Sequence, residues 1–239
     1  NLSPNVHYLA TPIIDSDTKL EPAFAKLLGY YLAEGNAIFE QRKTSNIGRS
    51  LNKKLPPDLS CNKKVPVAIQ WAFNLETESY IFDIICNLLK DLGYNKLPKY
   101  YQNPNKKELR IVFYSRDFSA RILEAAGHNT LSDNSGKWLR RQYDYKTTKL
   151  IVSTYLEGDG YLDSKYRQGS LISSTTSLNL HKSLKRALNT LRIPYRATRS
   201  KTGSGFRTSH PYTYTLCIPA RYCIPLVQET KYEAIFTTL

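Results

Sequence analysis

Two nine-residue stretches decide the fold: LLGYYLAEG at residues 27–35 and VSTYLEGDG at residues 152–160. Each is an apolar run of helical character that ends in an acidic residue followed by glycine, a residue that commonly follows the last turn of a helix. Pro22 and Lys149 lie near the predicted starts of these two helices. Recurrence of a segment within one chain is the signature of a repeated structural unit, so two similar halves are predicted.

The sequence after the first stretch predicts further elements. Residues 67–74 alternate, with Val67, Ile69, Trp71 and Phe73 on one face, as in a strand with one packed side and one polar side. A helix is predicted from about Glu76 to Leu92, where Gly93 ends it. Strands near 97–102 and 108–115 and a short helix over 117–126 complete this half.

The sequence after the second stretch predicts the same order. Residues 170–176 are strand-like, and 178–191 have apolar residues at helical spacing. Strands follow at 195–200 and 212–218, joined by a turn at 202–205. The chain is therefore predicted to be an α+β protein with an N-terminal subdomain at residues 1–126, a polar linker at 127–148 and a C-terminal subdomain at 149–239.

The charge of the chain predicts the class of its partner. Lys and Arg number 34 against 20 Asp and Glu, which gives a net charge of +14, and the basic residues are spread along the chain. A folded protein with this much self-repulsion usually binds a polyanion, of which DNA or RNA is the first candidate. The alternative is a basic protein without a nucleic-acid partner.

The sequence predicts neither a membrane partner nor a structural zinc site or disulfide framework. No run of 18 apolar residues occurs and the start has no secretory signal pattern, so no membrane partner is predicted. The four cysteines form no CxxC pair and have no histidine at zinc spacing. An intracellular, reducing location is predicted, in the cytoplasm or nucleoid or in an organelle of a eukaryotic host.

Basic and amide side chains on the polar strand faces are the candidate DNA contacts. Lysine and arginine neutralise phosphates, while arginine and glutamine can also pair with base edges in the major groove, which admits a two-stranded ribbon. For any one of them an ordinary solvated sheet face is an equally good explanation. The candidates are Arg42, Lys43, Arg49, Gln70, Lys99 and Arg110 in the first half, and Lys165, Arg167, Arg196, Arg199, Lys201 and Arg207 in the second.

Glu34 and Asp159 are the candidate catalytic carboxylates. An acidic side chain at the end of a helix faces the negative end of the helix dipole, at a cost of roughly 0.3–1 kcal/mol. If the two repeated helices pack side by side, with Gly29 and Ser153 small enough for close approach, the two carboxylates meet and repel each other. A divalent metal such as Mg²⁺ would offset both costs. Two unrelated surface carboxylates are the alternative.

The two stretches and the elements after them resemble the LAGLIDADG homing endonucleases, over roughly residues 21–227. The resemblance implies two pseudo-symmetric αββαββα subdomains with saddle-shaped antiparallel sheets and the signature helices at the central interface. It implies a site-specific endonuclease that recognises a long double-stranded DNA target and hydrolyses both strands with Mg²⁺ to leave short 3′ overhangs. Because the signature occurs twice, it also implies a monomer.

The resemblance assigns further roles residue by residue. Glu34 and Asp159 align with the metal ligands, and the carbonyls just before them, of Ala33 and Gly158, also contribute to the metal site in the family. Mn²⁺ or Ca²⁺ is expected to occupy the same sites, with Ca²⁺ supporting binding but no cleavage.

A basic residue near each site is common in the family. Lys137 is the best match, although the proline usual two or three residues later is missing. Lys231 is the candidate in the other half. Either could instead be a surface lysine of a basic protein.

The signatures also depart from the family pattern. Thr154 stands where glycine is usual, so a looser helix crossing is expected there. Leu28 replaces a common alanine, and Glu157 precedes the aligned acidic residue by two positions. None of these changes removes a predicted metal ligand. The Glu/Asp difference between the halves predicts a target that is only partly palindromic.

Two other functions remain open from the sequence. A non-cleaving binder of the same fold, such as an RNA maturase for intron splicing or a transcription regulator, has no need of carboxylates that face phosphates. Because both are present, a nuclease is favoured. An excised intein is disfavoured, since residue 1 is neither Cys nor Ser and no His-Asn pair ends the chain.

Overall fold

The computed structural model describes residues 16–41, 64–127, 137–163, 170–201, 212–228 and 230–232. The first half contains α1 (Pro22–Glu34), β1 (Gly35–Gln41), β2 (Lys64–Asn74), α2 (Ile81–Asp91), β3 (Lys99–Asn103), β4 (Glu108–Tyr114) and α3 (Arg116–Ala125). The second half contains α4 (Tyr145–Asp159), β5 (Gly160–Leu162), β6 (Ser170–Thr175), α5 (Leu178–Thr190), β7 (Arg196–Lys201), β8 (Tyr212–Pro219) and α6 (Ile224–Val227). The predicted order αββαββα thus occurs twice.

The two halves have the same sheet topology. The strand orders are β1-β2-β4-β3 and β5-β6-β8-β7, and every strand pair is antiparallel. The predicted α+β fold with two similar halves is confirmed. The predicted turn at 202–205 lies outside the described residues.

Helices α1 and α4 pack against each other at the centre of the molecule. A Cβ added to Gly29 of α1 would overlap Thr154 Oγ1 and lie 2.5 Å from the carbonyl oxygen of Ile151, both in α4. The two backbones therefore touch at this point, and only glycine fits there. Thr154, at the position matching Gly29, donates its hydroxyl hydrogen bond to the carbonyl of Lys26 at 3.0 Å. The close crossing predicted from small residues is confirmed. The looser crossing expected at Thr154 is wrong, because the threonine hydroxyl packs directly on Gly29 and hydrogen-bonds α1.

Each central helix passes into a strand without a loop. Gly35 and Gly160 have extended backbones, with φ and ψ of −84° and 151° and of −85° and 151°. They are therefore not left-handed helix caps. A Cβ on Gly35 would lie 2.5 Å from Tyr31 Cα, so the glycines permit the sharp exit from the helix. The acidic residue of each signature consequently lies where the helix ends and the sheet begins.

The alternation predicted for β2 is observed. Ile69, Trp71 and Phe73 are buried against the helices, where Trp71 and Phe73 pack with aromatic rings of α1 and α3, while Gln70 lies on the other face. One apolar core runs through both halves. Over the described residues, no helix is long and apolar enough to cross a membrane.

Two helix starts differ from the predictions. Helix α2 begins at Ile81 instead of Glu76, because the Asn74 side chain accepts from the backbone of Glu76 and Thr77 and holds a turn there. Helix α4 begins one turn before Lys149, at Tyr145, because the carboxylate of Asp144 accepts from the backbone of Thr147 at 2.8 Å. The last residues of the predicted linker are therefore helical.

Candidate active site at the helix interface

The crossing of α1 and α4 brings the two signature carboxylates together. Glu34 and Asp159 are the last residues of these helices. A Cβ on Gly158 would lie 2.8 Å from Ala33 Cβ and 3.9 Å from Glu34 Cγ, so the absence of a side chain there allows the helix ends to meet. The four predicted metal-site residues thus form one cluster. Their role as ligands stays a prediction.

Burial makes both carboxylates harder to ionise, and the charge of Asp159 adds to this effect at Glu34. Burial is the main cause that raises the pKa of Glu34 from 4.5 to about 7, followed by the negative charge of Asp159. Lys137 and Lys231 act in the opposite direction on Glu34. Burial also raises the pKa of Asp159. A nearby cation would favour the charged form of both groups.

The Asp159 carboxylate is held by two hydroxyl groups. Tyr155, one turn earlier on α4, donates to Asp159 Oδ2 at 2.5 Å, and Ser173 on β6 donates to the same oxygen at 3.2 Å. Tyr155 and Ser173 also hydrogen-bond each other at 2.7 Å. Glu34 accepts no hydrogen bond from the described residues, so the two carboxylates are held to different degrees.

Lys137 caps the end of α1. Its Nζ donates to the carbonyl oxygens of Tyr31, Ala33 and Gly35 at 3.0, 3.1 and 3.0 Å. The Tyr31 carbonyl also accepts from the backbone N–H of Gly35. All three carbonyls lie at the C-terminal end of α1, where a cation is favourable. Burial lowers the pKa of Lys137 to about 8. The predicted catalytic lysine therefore lies at the site, and it shares the Ala33 carbonyl predicted to bind metal.

In the described part of the second half, a tyrosine takes the place that corresponds to Lys137. Tyr232 donates its hydroxyl to the carbonyl of Gly160, the counterpart of the Gly35 carbonyl that Lys137 binds. Lys231, the predicted second lysine, instead donates to Glu78 Oε1 at 2.8 Å. Its positive charge acts on Glu34, but its hydrogen-bond partner is Glu78 and not a helix-end carbonyl.

The predicted DNA contacts divide between sheet faces. In the first sheet, Gln70 pairs with Val112, which also pairs with Lys99, while Arg110 pairs with Ala72. Because directly paired residues share a face, Gln70, Lys99 and Arg110 lie together on the face away from the helices. Arg110 there forms a bidentate ion pair with Glu108 at 2.8 and 3.0 Å.

In the second sheet, Arg196 alone among the described candidates lies on the open face, the sheet face away from the helices. Arg196 pairs with Cys217 on that face, whereas Arg199 and Lys201 pair with Tyr214 and Tyr212 on the face that carries α5. An odd spacing along a strand reverses the face, which the prediction did not resolve. Arg199 stacks on the Tyr212 ring. The remaining candidates, which lie outside the described residues, are Arg42, Lys43, Arg49, Lys165, Arg167 and Arg207.

Several polar residues of this region were missed by the sequence reasoning. Tyr30 and Tyr155 occupy the same position of the two signatures, a signal that the repeat itself offered. Glu157, which replaces the apolar Leu32 of the first signature, was noted in the sequence only as a departure from the family pattern, and its buried contacts were not predicted. Ser173 and Tyr232 carried no sequence signal, because their partners are distant in the chain.

The donor set suits a hard divalent cation. Among the described residues no three Asp, Glu, His or Cys side chains converge on one point. Mg²⁺ commonly takes one or two carboxylates and completes its shell with phosphate oxygens and water. Two carboxylates with raised pKa values at the ends of two helix dipoles, beside the carbonyl of Gly158, fit this chemistry.

Two αββαββα halves joined through paired helices with acidic ends define the fold of the two-motif LAGLIDADG homing endonucleases, as the resemblance implied. Comparison with solved structures gives matches to the homing endonuclease I-DmoI. Its complex with DNA and Ca has a TM-score of 0.57 at 13% identity, over 91% of this chain and 98% of that one. Its complex with DNA and Mn has a TM-score of 0.55 at 14% identity, over 87% and 94%.

A further match is the meganuclease I-SmaMI bound to uncleavable DNA, with a TM-score of 0.49 at 9% identity, over 92% of this chain and 88% of that one. No protein-family model and no curated protein matches the chain. The I-DmoI matches confirm the fold.

Proposed function

We propose that this protein is a site-specific, divalent-metal-dependent endonuclease of double-stranded DNA. The observation that carries the proposal is the meeting of Glu34 and Asp159 at the ends of the two central helices, where burial raises the pKa of both and the charge of Asp159 raises the pKa of Glu34 further. A protein that only binds nucleic acid gains nothing from this arrangement. The I-DmoI structures, in complex with DNA and Mn or Ca, support the same conclusion through their fold.

Double-stranded DNA is the proposed partner, and a monomer the proposed active form. The net charge of +14 favours a polyanion. The open face of the first sheet presents Gln70, Lys99 and Arg110, which suit base edges and phosphates. Since the second sheet presents Arg196 with hydroxyl side chains, we expect a long target whose two halves differ.

The residues at the helix ends would divide the work of hydrolysis. Glu34, Asp159 and the Gly158 carbonyl would hold Mg²⁺, which when bound polarises the scissile phosphate and lowers the pKa of an attacking water. Tyr155 and Ser173 keep the Asp159 carboxylate in place. Lys137 supplies a buried positive charge beside both carboxylates. We propose cleavage of both strands with short 3′ overhangs, inside the cell, as in intron homing.

A cleavage selection tests the proposal. The full chain is incubated with Mg²⁺ and a randomised library of long DNA duplexes, and the ends of cut molecules are sequenced. We expect enrichment of one long, partly asymmetric site with 3′ overhangs. With Ca²⁺ in place of Mg²⁺, binding to that site is expected without cutting.

Three variants sharpen the test. Glu34→Gln and Asp159→Asn should abolish cleavage and keep binding, while Glu124→Gln, at an exposed carboxylate on α3, should cut like the wild type. Duplex binding without cleavage under Mg²⁺ or Mn²⁺ would refute the nuclease and favour a DNA-binding regulator. Selective binding of folded RNA would favour a maturase.

A further inference from the structure

A buried carboxylate next to the site is not explained by metal binding. Glu157 in α4 is only 3% exposed, and its counterpart in α1 is the apolar Leu32. A buried charge is costly unless hydrogen bonds compensate it. Here Tyr30 donates at 2.5 Å, Tyr80 at 3.1 Å and the backbone N–H of Lys231 at 3.1 Å. Glu157 therefore joins α1, the turn before α2 and the C-terminal segment.

A second buried carboxylate holds the other end of Lys231. Glu78, 8% exposed, accepts from the Lys231 ammonium at 2.8 Å through Oε1. Its Oε2 accepts from the backbone of Asn74 at 2.9 Å, at the end of β2. Lys231 is thus bound through its backbone by the second half and through its side chain by the first.

The segment held in this way lies against the candidate active site. Tyr232 donates to the carbonyl of Gly160, the residue after Asp159. Glu78 binds Asn74, and the preceding residue, Phe73, also lies near the site. A Cβ added to Gly158 would lie 3.8 Å from the Phe73 ring and 3.9 Å from Glu34 Cγ.

We propose that Glu78 and Glu157, one from each half, are positioning residues that clamp Lys231 beside the Glu34–Asp159 pair. The proposal rests on the nuclease function proposed above for its kinetic consequence, but the clamp itself is a property of the folded chain. The flexible lysine side chain loses considerable conformational freedom when it is fixed. Two buried carboxylates that hold both of its ends fix its position before DNA binds, so that this freedom is not lost during the reaction.

The clamp is tested first without nuclease activity, by the rate of acetylation of Lys231 with an amine-reactive anhydride, read by mass spectrometry of the full chain. Glu78→Gln and Glu157→Gln should raise this rate at least threefold, since each replaces a charged acceptor by a weaker neutral one. Glu76→Gln is the matched control, because Glu76 pairs with Lys107 at 3.0 Å on the exposed surface. Near-UV circular dichroism confirms folding, and the exposed Lys90 of α2 serves as the internal reference.

An unchanged Lys231 rate in both folded clamp variants would overturn the proposal. If either glutamine variant does not fold, Glu157→Leu, which introduces the residue of the first signature, replaces it and should expose Lys231 more strongly. Protection of Lys231 in the wild type, lost in the variants, supports the clamp even if the wild type cuts no DNA, in which case only the nuclease function fails.

The kinetic test uses single-turnover cleavage of the selected target. Glu78→Gln and Lys231→Met should each slow cleavage by about 10- to 100-fold, as for residues that orient a catalytic site, with DNA affinity unchanged. The double variant should be no slower than Lys231→Met alone, because both changes remove the same interaction. Glu157→Gln, which keeps an acceptor oxygen, should retain more activity than Glu157→Leu. Additive losses, or a loss of DNA affinity alone, would contradict positioning.

Discussion

Replacing Glu34 by glutamine should stabilise the metal-free protein at pH 8 and leave its stability unchanged at pH 4.5. Burial, then the charge of Asp159, raises the pKa of Glu34 from 4.5 to about 7 in the folded state. The folded protein therefore binds this proton more tightly than the unfolded chain. The contribution of this proton to the free energy of unfolding is fully present below pH 4.5 and is lost as the pH rises through 7.

The magnitude follows from the shift. At about 1.4 kcal/mol per pKa unit, the wild type should lose about 3 kcal/mol of unfolding free energy between these pH values. For a protein of this size each kcal/mol moves the melting temperature by roughly 2–4 °C, so the difference at pH 8 should be about 6–12 °C. Glu34→Gln removes the ionisation and with it the loss.

The assay is differential scanning calorimetry with EDTA at pH 4.5 and pH 8, on the wild type, Glu34→Gln and Glu124→Gln. The exposed Glu124 controls for a general effect of removing one negative charge. Addition of Mg²⁺ at pH 8 should raise the melting temperature of the wild type more than that of Glu34→Gln. A Glu34→Gln effect of equal size at both pH values would refute the reasoning.

Three further predictions concern the helix interface and its ends. Gly29→Ala should lower the free energy of unfolding, measured by urea denaturation, by roughly 1–3 kcal/mol through overpacking. Adding Thr154→Gly should rescue it only in part, because the overlap with the backbone of Ile151 remains; full rescue would contradict the packing. Tyr155→Phe should slow single-turnover cleavage, whereas Tyr94→Phe, which breaks an exposed tyrosine–aspartate bond, should not; equal rates for both would exclude positioning by the hydroxyl. Burial lowers the pKa of Lys137 from 10.5 to about 8. As the pH rises from 8 to 10.5, the free energy of unfolding of the wild type should therefore increase relative to that of Lys137→Met. The same pH dependence for both proteins in urea denaturation would contradict this prediction.

The central architecture could be predicted because the repeat in the sequence encodes it directly. An apolar helix that ends in acid and glycine occurs twice, so the helix pair and the positions of Glu34 and Asp159 followed from local pattern alone. Lys137 was found only through the family resemblance. Its three bonds to carbonyls at the end of α1 depend on chain folding over about a hundred residues, which no local pattern encodes.

The errors came from contacts that compete with local pattern. The start of α2 was placed too early because the Asn74 side chain holds a turn that helix periodicity does not show. The grouping of Arg196 with Arg199 has another cause: they lie three positions apart on β7, and the alternation of a strand, which places such residues on opposite faces, was not applied. Glu157 was seen in the sequence, but its partners Tyr30 and Tyr80 belong to the other half and could not be inferred.

The bond between Tyr30 and Glu157 limits how the halves could be exchanged. In a symmetric dimer built from the second half alone, Tyr155 would stand in the place of Tyr30, yet its single hydroxyl hydrogen already serves Asp159. The buried Glu157 would then lose its best donor in both subunits. A dimer of the first half would meet no such conflict, because Leu32 carries no charge. Recombinant hybrids should therefore tolerate duplication of the first half more readily than duplication of the second.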